Sequence, residues 1–82
     1  MNNTVTLRYF AQLAEQRGCH TEQVELHPGQ RAEELYRQLQ QRYRFSLDQE
    51  ILRPAVNGVY TTWDQELQAG DEIAFIPPVA GG

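Results

Sequence analysis

The run Ile73-Ala74-Phe75-Ile76 is apolar on both faces of an extended chain, and Pro77-Pro78 follows it at once. A strand that presents hydrophobic side chains in both directions belongs inside a sheet, because a half-exposed strand alternates apolar with polar residues. The two prolines end it. Each fixes φ near −65° and lacks an N–H, and together they favour an extended, semi-rigid polyproline spacer. Whatever follows Ile76 is therefore rooted in the middle of the fold while its tip projects from it.

The rest of the chain supplies neighbours for that strand. From Thr4 to Tyr9, Val5, Leu7 and Tyr9 alternate with Thr4, Thr6 and Arg8, the period of a half-buried strand. Phe10 to Gly18 reads as a short helix with Phe10, Leu13 and Ala14 at helical spacing and Gly18 as its stop. Glu22 to Leu26 alternates again before His27-Pro28-Gly29 breaks the pattern. From Arg31 to Tyr43, Ala32, Leu35, Tyr36, Leu39 and Tyr43 fall on one helix face, and Glu33-Glu34 sits where negative charge favours the helix dipole. A loop with Phe45 and Leu47 leads to Ala55-Val56, then Asn57-Gly58, a two-residue hairpin signal, then Val59-Tyr60. Gly70-Asp71 turns the chain into the last strand. This order predicts an α+β fold: a small mixed sheet burying one face on one main helix. Residues 1–76 form the domain and 77–82 an extended, flexible C-terminal tail.

At 82 residues the chain is one domain, and a domain of that size buries only about 60% of its unfolded surface, which leaves little room for a deep active-site pocket. No apolar run is long enough to span a membrane, and the polar start MNNTVT lacks signal-peptide regions, so the expected location is cytoplasmic. A single cysteine, Cys19, fits a reducing compartment. The net charge of −4, without a clustered basic run, argues against nucleic-acid binding. All seven basic residues are arginine. In a glutamine-rich chain this reads first as composition, but it also removes every side-chain amine that could attack an activated carbonyl.

In the tail, Val79, Ala80, Gly81 and Gly82 shrink towards the end. Six extended residues reach about 20 Å. Glycines without Cβ pass through a narrow channel and present a terminal carboxylate at its end. That carboxylate is an anion at neutral pH and must be activated before any nucleophile attacks it; adenylation by ATP is the direct route. Two glycines alone read as a frayed end. Behind an interior strand, a Pro-Pro spacer and a tapering Val-Ala, they read as a working group.

Three segments, LRYFAQLAEQRG, AVNGVYTTWDQEL and LQAGDEIAFIPPVAGG, resemble the molybdopterin synthase small subunits, which are ubiquitin-like β-grasp sulfur carriers. The resemblance implies that an adenylating enzyme activates Gly82, transiently as an acyl-adenylate. A sulfur donor protein then converts it to a thiocarboxylate. The large catalytic subunit uses that sulfur to build the dithiolene on a cyclic pyranopterin phosphate, in a heterotetramer. No cofactor is bound permanently, and the chain is not an enzyme by itself. Pro77, Pro78, Val79, Ala80 and Gly81 would enter the partners' active sites. By motif position the partner-facing apolar residues are Phe10, Tyr60 and Ile76. Strand parity independently puts Phe10 away from Val5 and Leu7, and Ile76 away from Ile73 and Phe75, which are assigned to the core. Tyr60 stands where the family favours an aliphatic residue, and a half-buried core position suits it equally.

Other residues have plainer readings. Cys19, exposed or half-buried beside Gly18, reads as a plain thiol before a carrier persulfide, and His20 and His27 lack partners at metal-ligand spacing. Alternatives of the same design are sulfur carriers for thiamine or tRNA thiolation. From other classes come a ubiquitin-like protein modifier and an inert interaction module.

Overall fold

The computed structural model describes residues 3–77; Pro78, Val79, Ala80, Gly81 and Gly82, most of the expected tail, lie outside the described residues. In chain order the elements are β1 (Thr4–Arg8), α1 (Ala11–Arg17), β2 (Thr21–Glu25), α2 (Ala32–Tyr43), a 3₁₀ turn over Gln49–Ile51, β3 (Arg53–Val56), β4 (Val59–Tyr60) and β5 (Glu72–Ile76). The strands make one sheet in the order β2-β1-β5-β3-β4. The last strand in sequence is thus the middle strand in space, as its two-sided apolar pattern requires. It runs parallel to β1 and antiparallel to β3, so the sheet is mixed.

One face of the sheet is covered by α2. Val5, Leu7, Tyr9, Ile73 and Phe75 point to it and meet Ala32, Leu35, Tyr36 and Leu39, all essentially removed from solvent. Leu13 and Ala14 of α1 join this core. Aromatic rings organise its centre. Phe75 meets Tyr36 edge-on at 4.9 Å between centroids and stacks on Trp63 at 5.6 Å, separations at which offset and T-shaped pairs are favourable. The buried Tyr36 hydroxyl donates to the Leu47 carbonyl at 2.6 Å, so the core holds its polar atom satisfied.

Two local features differ from the sequence expectation. The loop after α2 contains the 3₁₀ turn, closed by Ile51 N–H to Asp48 C=O at 3.0 Å; three residues carry no periodicity to announce it. The segment between β4 and β5 does more than turn. Its Trp63 and Gln65 carbonyls accept the Glu33 and Ala32 N–H groups at 2.9 Å each, satisfying two donors that a helix start leaves without partners. Glu34 completes that end by accepting the Arg31 N–H at 2.9 Å.

A polar clasp joins α1, Tyr9 just after β1, and β2 at the rim of the core. Glu22 accepts from Arg17 Nε at 2.9 Å and Nη2 at 2.8 Å, and from the Tyr9 hydroxyl at 2.6 Å. The Arg17 guanidinium also lies over the Tyr43 ring, 4.2 Å from its centroid. The Arg17 hydrogen bond, chiefly, holds the Glu22 carboxyl below its ordinary value of 4.5 against partial burial. Burial first, and Glu22 second, push the Tyr9 phenol upward, so it stays protonated as donor. A carboxyl lowered on folding stabilises the fold above its unfolded value, and that contribution is lost as pH falls through the folded one. Glu22→Gln should therefore lower the thermal midpoint at pH 7, with the gap to the parent closing as pH drops below about 4.5. A gap unchanged between pH 7 and pH 3 would contradict this role for the clasp.

Candidate functional site

The face of the sheet turned away from α2 carries side chains that lie outside the core cluster. The strand registers set Arg8 beside Ala74, Ala74 beside Ala55 and Ala55 beside Tyr60, while Arg53 lies beside Ile76. Residues paired across neighbouring strands share a face, so this is one continuous outer row. Phe10 follows Arg8 by two positions and is 40% exposed; Tyr60 is 57% exposed. Between them lies an open cleft of about 280 Å³, lined by Phe10, Tyr60, Ile76, Ala55, Ala74 and Gly58 with Arg8 and Glu72 at one side. Phe10, Tyr60 and Ile76, expected from the sequence to face a partner, thus come together on one surface.

Local backbone geometry puts each of them there. Phe10, expected from its spacing to begin the short helix, is instead the extended residue before α1, because the next residue, Ala11, has a positive φ of 50 that breaks helical geometry there. Tyr60 is carried by the hairpin of Asn57 (φ 53) and Gly58 (φ 83), the two positive angles that a tight hairpin of the mirror-image turn type demands. Asn57 also ties this hairpin to the start of β5. Its N–H donates to Glu72 C=O at 2.7 Å, its Oδ1 accepts from Glu72 N–H at 2.9 Å, and its Nδ2 donates to Asp71 Oδ1 at 3.0 Å. On the other side Thr6 N–H donates to Asp71 C=O at 2.9 Å. The root of the tail is thereby held from both flanks, and Pro77 leaves the sheet next to Ile76 at the cleft's rim.

Charge on this face is sparse. Arg8 Nη1 stands 3.9 Å from Glu72 Oε1 with both side chains about half exposed, a pair worth under about 1 kcal/mol. Arg53 lies over the Tyr60 ring at 5.1 Å and Arg8 over Phe10 at 5.8 Å. Sequence reading missed Arg8, Arg53 and the alanine floor as parts of the surface. Parity along β1 gave Arg8's direction, but which strands lie beside it is set by long-range pairing that no local pattern encodes.

The remaining candidates stay apart. Cys19 is half-buried beside Gly18 and His20 near α1, and His20 and His27 are exposed. Among the described residues no three His, Cys, Asp or Glu side chains gather to hold a metal ion, and no helix is long and apolar enough to cross a membrane.

A mixed sheet grasping one main helix, with the C-terminal strand central, is the ubiquitin-like β-grasp architecture. The sequence matches the ThiS family over residues 7–82, and the chain belongs to that family. A molybdopterin synthase sulfur carrier subunit of Escherichia coli (strain K12) is 44% identical over 41 residues, an alignment covering 50% of this chain and 51% of that relative. The chain thus matches about half the length of this curated relative. A Pyrococcus furiosus protein described as a candidate molybdopterin converting factor, subunit 1, superposes with a TM-score of 0.81 at 32% identity, over 95% of this chain and all of that one. A chain from the complex of subunits 1 and 2 of the molybdopterin-converting factor of Helicobacter pylori shares the fold, with a TM-score of 0.68 at 24% identity over 96% and 99% of the two chains.

An outer face that is not part of the core makes a stability prediction. Phe10→Ser and Tyr60→Ser should each change unfolding free energy by no more than about 0.5 kcal/mol, whereas Phe75→Ala, on the inner face of the same sheet, should cost about 3–5 kcal/mol. Urea unfolding of the three variants checks this, and a large loss in the two serine variants would return those aromatic residues to the core.

Proposed function

We propose that this chain is the sulfur carrier subunit of a molybdopterin synthase and that the carboxylate of Gly82, as last residue of the mature chain, is its working group. The observation that carries the reading is the position of β5. The strand that leads into Pro77 is hydrogen-bonded on both sides and ends beside an exposed apolar face, and the family match continues from it through residue 82. A fixed root next to a docking face suits a tail that other proteins must receive in register.

The chemistry follows from what a carboxylate lacks. As an anion with a poor leaving group it does not exchange oxygen for sulfur unaided. In an adenylating enzyme a Gly82 oxygen attacks the α-phosphate of ATP and pyrophosphate leaves. Sulfur delivered at the sulfide level by a donor protein then adds to the acyl carbon and AMP departs, leaving a thiocarboxylate. In the large catalytic subunit the thiocarboxylate sulfur attacks an oxygen-bearing side-chain carbon of the cyclic pyranopterin phosphate and the carbon–oxygen bond there breaks, its oxygen leaving. Water then hydrolyses the resulting thioester, which returns the Gly82 carboxylate and leaves the sulfur on the pterin. A dithiolene has two sulfurs, so two charged carriers are consumed for each product. Pro77, Pro78, Val79, Ala80 and Gly81 serve as the spacer in each site, with Phe10, Tyr60 and Ile76 against the partner. The chain itself supplies no catalytic side chain, and the nucleotide is bound only while the acyl-adenylate lasts.

Protein produced together with its activating enzyme should contain a fraction heavier by the difference between sulfur and oxygen, and tail fragmentation should place the change at Gly82. Localisation matters because oxidation of Met1 adds a nearly identical mass. Deletion of Gly82 should abolish sulfur transfer to the pterin and leave large-subunit binding in place. Mass found only on lysines of other proteins would favour a protein modifier. Sulfur transfer that survives the deletion would overturn the proposal.

A further inference from the structure

We infer that the outer-face cleft takes an apolar side chain of the large subunit flanked by a carboxylate, and that Arg53 reads that carboxylate. The inference rests on the sulfur-carrier reading above and names what that reading leaves open, the chemistry of the partner's contact.

The shape of the cleft argues for insertion of a side chain. Its floor is Ala74 beside Ala55 on adjacent strands, with Tyr60 on one flank and Arg8 on the other. Strands lie about 4.8 Å apart, so the backbones of β1 and β4, three spacings apart, leave about 14 Å between the tall flanks, with only methyl groups below. That gap has room for a Leu-, Met- or Phe-sized group on the alanine floor. Phe10 and Ile76 close the end nearest Pro77, so a group seated there fixes the distance between partner and tail root.

Charge argues for the carboxylate. Among the described residues Arg53 has no carboxylate within ion-pair distance, and the Arg8–Glu72 pair is long and half exposed. The Arg53 guanidinium is instead laid over the ring of Tyr60, one of the residues lining the cleft. Beside the cleft it is thus a guanidinium without a carboxylate, on a chain whose net charge is −4. An acidic group opposite Arg53 would gain the planar, bidentate pairing that arginine offers. Such rim charges set orientation and encounter rate more than total affinity.

Calorimetric binding of the full chain to the large synthase subunit of the same organism, at low and high salt, tests this. Arg53→Glu, an exposed change that leaves the core intact, should weaken binding about tenfold at low salt, with the loss shrinking at high salt as exposed charges are screened. Ala74→Leu fills the floor and should weaken binding about tenfold at both salts. Binding unchanged or tightened by Arg53→Glu, or within twofold of the parent for folded Ala74→Leu, overturns the inference. Phe10→Ser separates the two levels. If it weakens binding while Arg53→Glu does not, the face is right and the carboxylate is wrong. If neither it nor Ala74→Leu has any effect, the docking face of the sulfur-carrier reading fails as well.

Discussion

Backbone N–H and C=O groups in the middle of a sheet have to be satisfied on both sides, and in this chain that obligation falls on its last strand. β5 meets it with β1 on one side and β3 on the other. Its side chains then serve two purposes by parity. Ile73 and Phe75 pin the sheet to α2, while Ala74 and Ile76 form part of the outer cleft. An edge position would have left an unpaired backbone and a hinge at the root of the tail. The central position removes both.

Much of this was legible in the sequence because it depends on short-range patterns. The double-faced apolar run at Ile73–Ile76, the 3.6-residue spacing from Ala32 to Leu39 and the Asn57-Gly58 turn each report a local physical demand, and each element formed where that demand placed it. Parity supported the family resemblance in separating Phe10 and Ile76 from Leu7 and Phe75. What stayed hidden depends on pairing between distant residues. The Glu22 clasp draws on Tyr9 and Arg17 from two other elements. The helix start of α2 is finished by carbonyls some thirty residues later, at Trp63 and Gln65. Arg53 joins the outer face only because its register sets it against Ile76. Tyr60 was ambiguous because a tyrosine is at home in a half-buried or an exposed position; the two-residue length of β4 and its place at the edge decide for exposure.

The division of labour in the proposed function follows from the fold. Among the described residues the interior is filled by the helices and one sheet face, and in the proposed function the chemistry belongs to a larger partner that receives the tail from the root at β5 beside the outer face. The arginine-only basic composition is compatible with that role, since an activated carbonyl at Gly82 meets no side-chain amine on another copy of these residues.

The central claim is that the chain is a reagent carrier whose chemistry resides in its terminal group. The direct measurement is single-turnover product formation with carrier prepared chemically as the Gly82 thiocarboxylate, mixed with large subunit and cyclic pyranopterin phosphate, with neither ATP nor activating enzyme present. The account predicts one dithiolene product for every two carriers consumed, with all of the carrier returned as the plain carboxylate. No product without the activating enzyme, or repeated turnover from a single charge of sulfur, would contradict it.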